Sequence, residues 1–196
     1  MSESLFALPV KQTLSPSLTL RQQDELPLVV VEHPQVRAAV TLQGAHLVAW
    51  QPAGEKPVLW LSEKSAFQEG VAIRGGVPIC WPWFGKVATP NHGFARILPW
   101  ELSDHSEDDK QVQLTFTLRD STLTEPFSPI RSRLRPTLPS DKRAVSNWWL
   151  RVSIRRRPRC IATSPWGPLA ISTSAGSATA LSIKSTAARL NSSRAM

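Results

Sequence analysis

Net charge changes sign partway along this chain of 196 residues, and that break constrains what it can fold into more than any single motif does. Residues 1–127 carry 10 Lys and Arg against 14 Asp and Glu, a net −4, whereas residues 128–196 carry 13 against 1, a net +12; together they give the overall +8. All four histidines (His33, His46, His92 and His105) precede the break, the last glutamate is Glu125, and the last acidic residue is Asp141. A stretch balanced in both signs can bury an apolar face and solvate the rest, while a one-signed stretch repels itself, so the two parts call for separate readings. The length suffices for one ordinary domain with a sizeable core. At 41% hydrophobic and 19% charged residues the composition suits a globular protein. No apolar run reaches the roughly 18 residues of a membrane span. The first residues, MSESLFALPV, show no charged segment followed by a long apolar one, so the sequence predicts a cytoplasmic protein without a membrane partner. Cys80 and Cys160 are too few for a disulfide framework or a cysteine-rich zinc site.

Residues 1–127 read as β-structure. The stretches 28–31, 38–43, 46–50 and 58–62 are short apolar or alternating runs, separated by Glu32-His33-Pro34, Gly44-Ala45 and Pro52-Ala53-Gly54-Glu55, whose backbone preferences favour turns. The clearest strand is 111–120: Val112, Leu114, Phe116 and Leu118 alternate with Gln113, Thr115, Thr117 and Arg119, the period of a half-buried antiparallel strand. Helical periodicity of that clarity is missing from this part. The expected fold class is all-β, a sandwich-like antiparallel arrangement.

The densest chemistry lies in 71–100, VAIRGGVPICWPWFGKVATPNHGFARILPW, where two arginines stand among glycines, prolines and tryptophans. Arg74 precedes Gly75-Gly76, which would let backbone approach a ligand closely while the guanidinium offers a planar fork to a carboxylate or phosphate. Arg96 would complete an anion clamp; the alternative is that both arginines pair with carboxylates on a solvated face. Trp81, Trp83 and Trp100 could present flat faces to a sugar, but packing is the favoured role for most of them. His92, between Asn91 and Gly93, could hydrogen-bond a ligand or serve its loop. His46 enters a strand and could simply bond the neighbouring turn, and Cys80 reads as a buried thiol.

The strings LQGAHLVAWQPAGEKPVLWLS (42–62), GVAIRGGVPICWPWFG (70–85) and HGFARILPWEL (92–102) resemble the hexose-6-phosphate mutarotases, the glucose-6-phosphate 1-epimerase group of the aldose epimerase superfamily. The resemblance covers 1–127. It implies a galactose-mutarotase-like antiparallel β-sandwich, of which this chain holds the N-terminal part, and interconversion of the α and β anomers of a hexose 6-phosphate without a metal or organic cofactor. By the same resemblance Arg74 and Arg96 hold the substrate phosphate, Asn91 stands where some members carry a substrate-contacting glutamine, and His92 joins them as a binding residue. Mutarotation needs a base to take the O1 proton and an acid to protonate the ring oxygen. In the family these are a histidine within a motif like LHSYF and a glutamate far downstream, and neither motif occurs in this chain. No catalytic residue is therefore assigned.

The resemblance stops at Phe127. Residues 128–196 hold 13 serines and 11 arginines, with no glutamate and no histidine. Arg155-Arg156-Arg157 and Arg159 beside Trp148-Trp149 would suit RNA through phosphate contacts and stacking, a weak pointer that leaves nucleic acid a minor alternative. The genetic code offers another origin. Coding Arg159-Cys160-Ile161-Ala162-Thr163-Ser164 as CGC TGC ATA GCT ACT TCC and reading from each third base spells LHSYF, the family's acid-bearing motif. Suitable codons for 129–137 and 176–187 spell PHSFTLTAH and GLGDRFIDKVNS in the same frame, again like the family's continuation. The sequence thus points to a nucleotide lost near Phe127-Ser128, with 128–196 translated out of frame, ending early at Met196, and expected to be disordered or poorly packed. Three functions follow as alternatives: the family's mutarotase with this chain inactive, a residual sugar-phosphate binding module without turnover, and RNA binding through the basic tail.

Overall fold

The computed structural model of the chain describes residues 2–81, 83–109, 111–119, 122, 148–154 and 159–163. A short helix, α1 (Ser2–Phe6), leads into five strands, β1 (Val10–Ser15), β2 (Leu18–Gln23), β3 (Leu26–His33), β4 (Val36–Thr41) and β5 (His46–Pro52), which form one antiparallel sheet in sequence order. After a long irregular stretch and a 3-10 turn at Ala95–Ile97 come β6 (Glu101–Asp108), β7 (Gln111–Leu118), β8 (Trp148–Ile154) and β9 (Arg159–Thr163), a second antiparallel sheet, also in sequence order. The all-β architecture expected from the alternating runs is what the chain adopts.

Both faces of the first sheet are covered, which is why β3 reads LPLVVV instead of alternating. Val29 and Val31 of β3, with Val36, Ala38 and Val40 of β4, share one core with Val112, Leu114, Phe116 and Leu118 of β7. Leu28 and Val30, with Ala39 and Val48, face a second core closed by Leu5 and Phe6 of α1 and by Leu61, Phe67 and Ile73. The helix is pinned there by Arg21, buried, whose guanidinium donates to the Phe6 and Leu8 carbonyls and pairs with Glu32. Arg37 lies over the Phe6 ring, 4.4 Å from its centroid. β7 has only one face in the core, so it keeps the alternation.

One expectation needs correction. The stretch 58–62 makes no strand: Leu61 forms a single antiparallel bridge with Gly75, and the ladder ends because Gly75 and Gly76, at φ of 108° and 63°, leave the extended conformation. Within the basic tail, Trp148–Ile154 and Arg159–Thr163 pair as strands. The reason is in the local pattern. Trp148, Leu150, Val152 and Ile154 recur at period two and stand in register with Leu118, Phe116, Leu114 and Val112, the apolar set of β7. The rest of the tail, including Arg155, Arg156 and Arg157, lies outside the described residues. No described helix is long and apolar enough to cross a membrane.

Candidate functional site

A single turn organises the part of the molecule that carries the arginines. Residues 42–47, joining β4 to β5, contact three later segments. The Gln43 side chain accepts from the Gly70 N–H at 2.7 Å and donates to the Val71 carbonyl at 2.8 Å, which ties down the loop before Arg74. Gly44 donates to the Leu98 carbonyl at 2.8 Å, Trp100 donates to the Leu42 carbonyl at 2.8 Å, and Gln43 bridges Pro99, which ties down the segment after Arg96. His46 Nε2 donates to the Gly75 carbonyl at 2.8 Å, and the Val77 N–H to the Leu47 carbonyl at 2.9 Å.

Between Ile73 and Val77 the chain passes from one face of the first sheet to the other, since Ile73 belongs to the core under α1 and Val77 to the core shared with β7. The crossing runs past the edge strand β5 and leaves no room for side chains. A Cβ on Gly76 would lie 2.5 Å from the Leu47 carbonyl oxygen and 2.8 Å from His46 Nε2; one on Gly75 would lie 2.5 Å from the Trp60 carbonyl oxygen. The glycine pair thus serves close approach to the protein's own backbone. Arg74 stands at the start of this crossing with its side chain exposed. Its backbone is held by Ser62 and Ser65: the Arg74 carbonyl accepts from the Ser62 N–H and the Ser65 hydroxyl, each at 3.0 Å.

Arg96 sits in the 3-10 turn, its backbone pressed against Gly44, where a Cβ would meet the Arg96 carbonyl oxygen at 2.6 Å. Its Nη2 donates to the Asn91 carbonyl at 2.7 Å, while Nε is buried without a hydrogen-bond partner among the described residues. An unmade bond of that kind costs about 1–3 kcal/mol, more for a charged group. Among the described residues the ion pairs are Arg21–Glu32, Arg37–Glu3 and Arg119–Glu101, and neither Arg74 nor Arg96 has a carboxylate partner.

Asn91 is exposed and contributes its backbone carbonyl to Arg96. His92, in the left-handed region at φ 62°, accepts the Gly85 N–H on Nδ1 at 3.1 Å and returns its own N–H to the Gly85 carbonyl at 2.8 Å. That fixes Nε2 as the proton-bearing nitrogen of the neutral ring. The ring also packs edge-on against Phe84, centroids 4.8 Å apart, so His92 closes the 85–92 loop. His46 was expected to bond its neighbouring turn; its partner is instead Gly75, 29 residues on. Complete burial, and secondarily the charge of Arg96, pull its pKa down to about 4 against the opposing Gly75 bond, which keeps the ring neutral. Burial raises the pKa of the Cys80 thiol. Trp81, Trp83 and Trp100 are buried, as packing requires; the Trp83 and Trp100 indoles donate to the Pro90 and Ala95 carbonyls at 2.9 and 2.8 Å. Sequence reasoning left out Gln43 and Gly44 as organisers, although their placement in LQGAH, beside a turn glycine, was visible.

Comparison with known proteins places this arrangement in a family. The pattern of the aldose 1-epimerase family matches residues 27–144. Proteins of Salmonella typhimurium and Escherichia coli named "Putative glucose-6-phosphate 1-epimerase" are 57% and 58% identical over 132 residues, 66% of this chain and 45% of each of theirs. A Haemophilus influenzae protein of the same name is 41% identical over 114 residues, 55% of this chain and 40% of its own. The crystal structure of a "putative mutarotase" from Salmonella typhimurium superposes with a TM-score of 0.69 at 47% identity, covering 81% of this chain and 50% of that one. The chain therefore spans less than half the length of these curated relatives. With a family match over more than half its residues and a superposable fold, this chain belongs to the aldose 1-epimerase family.

Proposed function

We propose that the chain recognises a hexose 6-phosphate, gripping the phosphate with Arg74 and Arg96. The observation that carries this reading is that neither arginine has a carboxylate partner among the described residues while their segments are fixed by the same 42–47 turn. A guanidinium held without an internal counter-charge favours an external anion, and the names of the relatives supply the substrate class, glucose 6-phosphate. Asn91 and His92 belong to the same site: the Asn91 carbonyl orients Arg96, and His92 keeps the 85–92 loop closed. In the complete reaction the hemiacetal opens when one group removes the O1 proton and another protonates the ring oxygen. Here His46 is buried and held neutral against Gly75, and the histidine and glutamate motifs that the resemblance calls for do not occur in this chain, so we read the chain as a sugar-phosphate binder and not as a mutarotase that turns over.

Titration calorimetry with glucose 6-phosphate tests this. Arg74→Ala and Arg96→Ala should each weaken binding about 10- to 100-fold, the worth of a charge-assisted contact of about 1.5–3 kcal/mol. Unchanged affinity in both variants would remove the reading.

A further inference from the structure

We infer that Trp60 is the platform on which the sugar ring of the phosphorylated ligand rests, and so the residue that distinguishes a sugar phosphate from phosphate alone. The inference rests on the phosphate assignment to Arg74 and Arg96. Trp50, Trp81, Trp83 and Trp100 are buried, whereas Trp60 is 63% exposed. A lone exposed apolar residue needs no explanation. Trp60 is different because its position is fixed on both sides. Its carbonyl accepts the Gly76 N–H at 2.8 Å, and Ser62 donates to the Arg74 carbonyl at 3.0 Å, so 60–62 and 74–76 run antiparallel about the Leu61–Gly75 bridge.

Across that single bridge Trp60 and Arg74 stand diagonally, one on each side of the Leu61–Gly75 pair. Leu61 and Ile73, the residues next to them, point into the core, and Trp60 and Arg74 are the exposed ones. Gly75 completes the arrangement: its missing Cβ would lie 3.1 Å from Trp60 Cε3, so the ring settles against bare backbone beside Arg74. An exposed indole on a segment paired with that of an exposed arginine matches a ligand with an anionic group at one end and a C–H-rich ring attached to it. Inorganic phosphate would use only the first.

The test compares two probes, glucose 6-phosphate and inorganic phosphate, on the full chain and on Trp60→Ala, Trp60→Phe and Arg74→Ala, with near-ultraviolet circular dichroism as the folding control. Trp60→Ala should weaken glucose 6-phosphate about 3- to 10-fold, the range of an aromatic contact, leaving phosphate within twofold. Trp60→Phe, which keeps a ring, should recover most of the loss. Equal weakening of both probes, or none, would overturn the platform while leaving the arginines in place. If Arg74→Ala changes neither affinity, the phosphate reading itself falls, and absence of binding to the unaltered chain overturns both.

Discussion

At the scale of single residues, His46 carries the most consequence. Its ring is neutral because the site around it excludes water and faces Arg96, so the unfolded chain, with a histidine pKa near 6.5, takes up a proton that the folded chain refuses until pH about 4. Stability supplied by this group is therefore whole above about pH 6.5 and drains as pH falls toward 4, by ~1.4 kcal/mol per pH unit across that window. Urea unfolding at pH 7, 5.5 and 4.5 should show this slope as the difference between the unaltered chain and His46→Gln. A parallel pH dependence in the two would mean that His46 titrates alike in both states. His46 could be singled out from its place beside the Gly44 turn but its partner could not, because a contact across 29 positions leaves no local periodicity. Arg74 and Arg96 were legible as anion-binding residue types among glycines; what could not be read was whether a carboxylate lay within reach, which is a tertiary fact.

The telling element is the irregular crossing 73–77. Gly76 holds φ 63° with backbone on the far side of a missing Cβ, whereas Gly54 holds φ 76° with open space around it. Gly54→Ala should therefore cost only the left-handed strain of about 1–2 kcal/mol, and Gly76→Ala should cost more, about 3 kcal/mol or above, since the Leu47 carbonyl and His46 must also give way. Equilibrium denaturation of the two variants provides the comparison, and equal losses would show that the crossing has slack. Among the strands, β3, β4, β5 and β7 could be read because apolar runs or alternation mark a buried face. β6 could not. Its ELSDHSED is almost wholly exposed, and only pairing with β7 makes it a strand. β1 was hidden for the same reason, being an exposed edge with two register irregularities. β8 shows the converse: Trp148, Leu150, Val152 and Ile154 alternate within a stretch whose overall composition is basic.

At the scale of the whole molecule, two sheets share one core, and the chain spans less than half the length of its named relatives. Our reading of 128–196 as out-of-frame translation predicts that restoring one nucleotide near codons 127–128 regenerates a histidine triplet across Cys160 and Ile161; the coding sequence over 125–130 decides it directly. On our reading of the chain as a binder without turnover, the protein should leave the anomer exchange of glucose 6-phosphate at its spontaneous rate, as measured by NMR exchange spectroscopy. Exchange clearly above background would reassign it as a working mutarotase. The crossing beside β5 has one further consequence. Because the glycine pair and its neighbouring carbonyls hold the loop through its backbone, the guanidinium of Arg74 is a detachable headgroup on a self-supporting frame, and, on the proposed phosphate role, lysine, glutamine or glutamate grafted there would retune ligand preference while the scaffold stayed intact.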